Sequence, residues 1–449
     1  MLGFSAIAVV AVATIVGVAC KKNQGFDARG TVAGPPFLGT VTLPNVISAN
    51  RTLGSLDTLY LLDGKTYVTN NATLTVGSGV RVEGIKKSTP DSASALIITR
   101  GSKLSAQGSS EEPIVFSSHQ TNPAPGDWGG IVLLGKAPLN RADTTIEGIG
   151  EPSLPVGVDI QYGGNDCNDN SGILQFVRIE YAGAVIVEGN ELNGLTCGGV
   201  GKGTTLQYIQ TAYGADDGFE FFGGCVSADH LISYGNNDDD YDFDFGWKGT
   251  IQFAVGSRVP NVSYLSTNSN GIESDNNPAA VSPVPTPRTN DSAQCSFLSN
   301  FTLIGRNNCS GQVFNGSFFR NNSSIAFRNS IVMDFPTGLR ADATTNPFTK
   351  SYRNNLVHGV TAESVGVTTS LAVFGNTVFT GCVTGNGNSF MGLTAPYAST
   401  PDYTPATGSP ALSGASFTGY SCSGATTVSY RGAFAAGDDW TLGWTRWNF

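Results

Sequence analysis

Charge is scarce in this chain. Asp, Glu, Lys and Arg make up only 13% of its 449 residues, and 57 are glycine, a combination that fits neither a disordered chain nor a helical bundle. Basic residues are the scarcer sign, 25 against 35 acids, which leaves a net charge of −10. Phosphate backbones need Lys and Arg in excess, so nucleic acid is excluded as a partner and cations or neutral surfaces fit better. The three histidines, His119, His230 and His358, are far apart in sequence and read as surface or turn residues. No Cys-x-x-Cys pair supports a zinc or thioredoxin-like site. No Gly-x-Ser-x-Gly element marks a nucleophile elbow. Residues 198–205 look like a phosphate loop, but Gly203 follows Lys202 where Ser or Thr is needed, and Thr196 replaces the first Gly.

Apolar runs with a helical period are also rare, and what remains is a succession of short strands. Leu59–Leu62, Ala72–Val76, Val80–Gly84, Ala95–Thr99, Pro113–Phe116 and Gly129–Leu134 are separated by tight turns with no helix between them, which excludes a βαβ design. Leu174–Tyr181 is echoed by Leu206–Tyr213, and Leu231–Tyr234 continues the series. Coils of variable length with inserted loops indicate a solenoid rather than a propeller.

The strongest pattern is the alternation of carboxylates with aromatics in Asp238–Gly246, echoed in Asp216–Gly223. A period of two places Tyr241, Phe243 and Phe245 on one face and Asp240, Asp242 and Asp244 on the other. Sliding one segment on the other pairs Phe219 with Phe243, Glu220 with Asp244 and Phe221 with Phe245, a step of 24 residues. Gly271–Asp275 lays Glu273 on the same ladder. In successive coils these acids would lie about 4.8 Å apart and repel one another. Asp216, Asp217, Glu220, Asp238, Asp239, Asp240, Asp242, Asp244, Glu273 and Asp275 are therefore candidate ligands for Ca²⁺, which favours several hard oxygen donors. The bland alternative is a solvated acidic face whose Asp and Asn residues cap turns. The segment from Asp240 is not an EF-hand, because Phe245 stands where Gly is required. The loop Asp166–Asn170 could also bind calcium through Asp166, Asn168 and Asn170, but it reads better as an Asx-rich turn.

Paired carboxylates on a solenoid also raise the possibility of polysaccharide cleavage, with Asp216 and Asp217, or Asp239 and Asp240, as acid and base. The nearest basic residues in sequence are Lys248 and Arg258, and neither lies in a defined motif. No residue is assigned a catalytic role. The five tryptophans read as core and cap residues.

Residues 1–19 form an apolar leader ending at Cys20, followed by Lys21 and Lys22. The small residues before Cys20 resemble a bacterial lipobox, so Cys20 is the candidate lipidation site of an outer-membrane lipoprotein anchored in the membrane. An uncleaved membrane anchor is the alternative. Export permits disulfides, for which Cys197 with Cys225, Cys295 with Cys309 and Cys382 with Cys422 are candidates, leaving Cys167 over.

Residues 95–108, Pro113–Ser118 and Gly126–Val132 resemble the opening coils of right-handed parallel β-helix surface proteins exported by Bacteroidetes-type bacteria. Tyr430–Phe434 and Trp440–Thr445 resemble the end segment of the same group. The resemblance runs over most of residues 55–449 and implies the architecture without specifying an activity. The expected organisation is all-β: leader 1–19, linker 20–39, right-handed parallel β-helix 40–399 with irregular loops, and C-terminal cap 400–449. The expected function is binding, adhesion or a structural role at the cell surface, stabilised by calcium, with glycans or surface proteins as partners. The alternatives are a carbohydrate-active enzyme and a subunit of an extracellular fibre or layer.

Overall fold

The computed structural model describes residues 37–141, 145–187, 190–259, 262, 264, 269–276, 296–306, 315–321, 323, 325–342, 351–382, 387–419 and 424–449. The leader, the lipidation site Cys20 and the linker up to residue 36 lie outside them. Cys295, Cys309 and Cys422 do too.

Twenty-five strands form one continuous parallel sheet wound into a right-handed β-helix of three faces. In the first coils each face has its own short strand. Thr58–Leu62, Arg81–Gly84 and Ile114–Ser118 stack on the first face. Lys65–Val68, Ala95–Ile98 and Ile131–Leu134 stack on the second, and Thr73–Val76 and Lys103–Gln107 on the third. From Gly172–Glu180 onward the third and first faces are joined in one bent strand. Its beginning pairs with Lys103–Gln107 and its end with Ile114–Ser118.

The bend has a chemical cause. Phe176, Tyr208, His230, Phe253, Asn300 and Asn329 occupy the same register position in successive coils, and each has φ between 51° and 61°. Left-handed backbone is uncommon for non-glycine residues, and bulky ones least favour it. Stacking offsets that cost: Phe176 lies 4.4 Å from Tyr208 and Tyr208 4.4 Å from His230, ring centre to ring centre.

Inside, every second residue of each strand fills the bore. Leu195, Phe219, Tyr241 and Ile272 form one column on the second face, and Cys197, Phe221 and Phe243 form the next. Phe219 stacks on Tyr241 and Phe221 on Phe243, each at 5.2 Å.

The C-terminal residues expected to close the end of the solenoid instead cover its side. First-face strands carry apolar residues on both surfaces, with Ile232, Val255 and Ile304 facing outward yet fully buried. A strand apolar on both sides needs a second layer. Tyr403, Phe434, Trp444 and Trp447 supply it. The segment runs back towards the N-terminal coils: Asn300 donates to the carbonyls of Tyr430 and Gly432, and the amide of Arg446 donates to Gln210.

Candidate functional site

Two successive turns feed the carboxylates onto the second face. Asp216 and Asp217 precede the strand Phe219–Phe222, and Asp238 to Asp240 precede Tyr241–Asp244. The register joins Phe219 to Tyr241, Phe221 to Phe243 and Glu220 to Asp242, and then Asp242 to Glu273. The step is thus 22 residues and not the expected 24. A slip of two preserves which side chains face the core, so alternation alone cannot choose between the two registers. The inward place expected for Phe243 opposite Phe219 is taken by Tyr241, whose hydroxyl donates to the Val255 carbonyl at 2.7 Å.

The corrected register changes the membership of the cluster. Glu220, Asp242 and Glu273 form the ladder, and Asp244 falls beside Asp275, whose amide donates to the Phe243 carbonyl at 2.9 Å. Phe245 leaves the strand at φ 50°, with the Arg141 guanidinium 4.6 Å above its ring. Asp240 does not belong to the outer face. It is fully buried, accepts a hydrogen bond from Ser233 at 2.7 Å and lies 3.4 Å from Nε of the equally buried Arg258. Arg258 is thereby also removed as a candidate base beside the outer acids.

The remaining acids converge. Asp216, Asp217 and Asp238 can bring one oxygen each within 4.8 Å of one another, as can Asp217, Glu220 and Asp242, and Asp239, Asp242 and Glu273. The sets overlap through Asp217 and Asp242, whereas the first and third share no residue. The backbone fixes the turns: the Asp239 amide donates to Asp217 at 2.8 Å, and the Asn270 amide donates to Asp239. Asn193 donates to Glu220 from the preceding coil. Asp244 and Asp275 lie at the margin, outside all three sets.

Burial and mutual repulsion together push these carboxyls towards the protonated form. For Asp216, Asp217, Glu220, Asp239 and Asp242 the pKa is well above the usual range, burial being the larger cause and neighbouring carboxylates the second. Burial likewise lifts Asp244 and Glu273 to about 7, although Arg320 pulls both down. Arg320 contacts Glu273 at 2.5 Å and Asp275 at 3.2 Å. Burial works against its charge, but Glu273 and Asp275 outweigh that and raise its pKa. Several oxygens have no hydrogen-bond partner among the described residues, among them Oδ1 of Asp238, Asp275 and Asn193. An all-oxygen donor set with unsatisfied atoms fits a hard divalent cation of the size of Ca²⁺.

A cleft of about 260 Å³ opens onto this cluster, with Asn193, Asp216, Asp217 and Glu220 on its floor and Arg141 and Tyr162 on its walls. Arg141 and Arg320 are the basic residues that sequence reasoning missed. Lys248 and Arg258, which it named, stand nearer in sequence, but coil stacking brings Arg320 alongside Glu273.

The remaining expectations divide. Cys167 pairs with Cys225, at a Cα separation of 5.5 Å, and Cys197 is free. The expected bridge between Cys197 and Cys225 fails because Cys197 points into the bore, where burial pushes its thiol pKa up. Cys382 is disulfide-bonded. The Asp166 loop is an Asx turn, with Asp166 accepting from the Asn168 amide and Asn170 from the Gly172 amide. Trp128, Trp247 and Trp444 are buried, as core residues should be.

Fold and site together define a parallel β-helix carrying a carboxylate cluster on one face. Residues 46–395 match the family model described as a pectate-lyase like beta helix domain, and the chain belongs to that family. A comparison with curated proteins returns no match. Among solved structures, the crystal structure of pectate lyase Pel9A is similar at 12% identity, over 89% of this chain and 86% of that one, with a TM-score of 0.29. At that score the coils do not superpose closely enough to carry any correspondence between residues.

Proposed function

We propose that the chain is an exported β-helix protein of the cell surface, with a binding, adhesion or structural role, whose carboxylate cluster holds calcium. The observation that carries the metal is the convergence of Asp216, Asp217, Asp238, Asp239, Glu220, Asp242 and Glu273 into three overlapping sets of oxygens. So many partly or fully buried carboxylates in one cluster are tolerable only when protonated or when neutralised by a cation. The apolar leader ending at Cys20 supports a lipid anchor at the outer membrane, and partners at such a surface would be glycans or other surface proteins. Thermal unfolding with calcium and with chelator tests the metal. A rise in midpoint with calcium is expected, and an unchanged midpoint would refute it.

A second reading, cleavage of an acidic polysaccharide, is favoured by the cleft beside Glu220 and by Arg141 on its wall. Arg320 is a poor base for such a reaction, because two carboxylates hold its proton in place. Release of unsaturated uronides from polygalacturonate with calcium present, abolished by Glu220→Gln, would establish this reading in place of the first.

A further inference from the structure

A second cleft, of about 430 Å³, lies away from the carboxylate cluster on the third face, between the coil surface and Gly424 and Thr426 of the returning C-terminal segment. Its floor is a ladder of polar side chains in strict register. Gln207 pairs with Asp229 and Asp229 with Gln252, one residue per coil. Gln207 Nε2 donates to Asp229 Oδ2 at 2.8 Å, His230 Nδ1 lies 2.6 Å from Asp229 Oδ1, and Gln252 exchanges hydrogen bonds with the backbone of Thr426 at 2.7 and 2.8 Å. The aromatic corner row, represented by Tyr208 and His230, forms the adjoining wall, held in place from behind by Trp440.

We propose that this cleft binds a neutral, hydroxyl-rich oligosaccharide in extended form. Among the described residues Asp229 is the one carboxylate in the lining and no Lys or Arg lines it, so an anionic chain would be repelled by it. Gln207 and Asp229, already oriented by one another, present both a donor and acceptors, which suits vicinal hydroxyl groups, while Gln252 is engaged with Asn300 and Thr426 and fixes the edge of the cleft. Successive rungs lie about 4.8 Å apart, close to the length of one hexose unit in an extended chain. Rigid aromatic side chains beside such a polar row supply apolar contact at low entropic cost. The inference is independent of the metal: none of the residues named for this cleft belongs to the carboxylate cluster.

The test is affinity electrophoresis of the full chain through gels containing hydroxyethylcellulose, galactomannan, arabinoxylan or polygalacturonate, each with calcium and with chelator. Retardation by at least one neutral polysaccharide is expected, unchanged by chelator. Gln207→Ala combined with Asp229→Ala should weaken it roughly tenfold or more, the loss of about 1.4 kcal/mol. Thr205→Arg, which fills the cleft from its floor, should do the same while leaving the unfolding midpoint in place. Asp242→Asn should leave retardation intact. Absence of retardation in every neutral gel, retardation that needs calcium, or retardation undiminished in both cleft variants would overturn the proposal.

Discussion

Two clusters of buried charge on this solenoid are built from the same stacking of coils, yet they are balanced differently. On the first face, Glu83 and Glu180 stand in one column and Arg81 and Arg178 in the next but one. Arg81 contacts Glu83 at 2.5 Å, His119 contacts Glu83 at 2.7 Å, Arg178 contacts Glu180 at 3.1 Å, and Arg446 reaches Glu180 at 3.0 Å from the C-terminal segment. Every carboxylate there has guanidinium or imidazole partners. On the second face, seven carboxylates converge, and the nearby cations Arg320 and Arg141 sit at the rim. The carboxylates of the first cluster are ion-paired within the chain, and Arg446 clamps the covering segment to the coils. In the second, carboxylates outnumber the cations beside them among the described residues, and the proposed calcium would supply the balancing charge.

The largest effect expected from breaking this contrast is at Glu180. Glu180→Ala should leave Arg178 and Arg446 buried without their carboxylate and cost about 3–5 kcal/mol in unfolding free energy, equally with and without calcium. In the second cluster, Asp239→Asn with Asp242→Asn should remove the stabilisation by calcium, about 2.7 kcal/mol when the free ion is at a hundred times its Kd. The same variant should be no less stable than the parent in chelator, since it relieves repulsion. Denaturant titrations of both variants with and without the ion measure this.

The pH dependence separates the clusters next. Asp244 and Glu273, ordinarily at 3.8 and 4.5, are raised to about 7 in the folded protein. The folded state therefore binds more protons than the unfolded one between those values. In the metal-free protein the contribution of these two groups to stability should be fully present below about pH 4 and lost, about 3 kcal/mol for each, as the pH rises to 7. Saturating calcium should flatten that fall, and a metal-free protein that gained stability over the same window would contradict the account. The smallest effect is at the rim: Arg320→Gln should cost less than about 1 kcal/mol, because the side chain is partly exposed, and should increase the response to calcium.

The solenoid was legible in the sequence because a period of two and recurring turns are local signals. Tyr241 and Phe243 were assigned inward and Asp242 outward on that basis, and they sit so. The register was not legible, since slipping Phe219 from Tyr241 to Phe243 changes no side chain's face. The outward place expected for Asp240 fails for another reason: it ends a turn, where alternation does not hold, and its partner Arg258 lies just beyond the end of the strand Thr250–Ser257. Arg320 and Arg446 were invisible as partners because stacking and the returning C-terminal segment, not sequence neighbourhood, bring them to Glu273 and Glu180. The cover over the first face left a trace that went unread, the outward Ile232, Val255 and Ile304.

The central claim is that the second cluster, and not the first, is completed by ions. Counting calcium bound per chain by equilibrium dialysis at pH 7, for the parent and for Asp239→Asn with Asp242→Asn, tests it directly. Since the first and third carboxylate sets share no residue, about two ions per parent chain are expected, with at least one lost in the variant. No binding by the parent at millimolar calcium, or equal binding by both proteins, would contradict it.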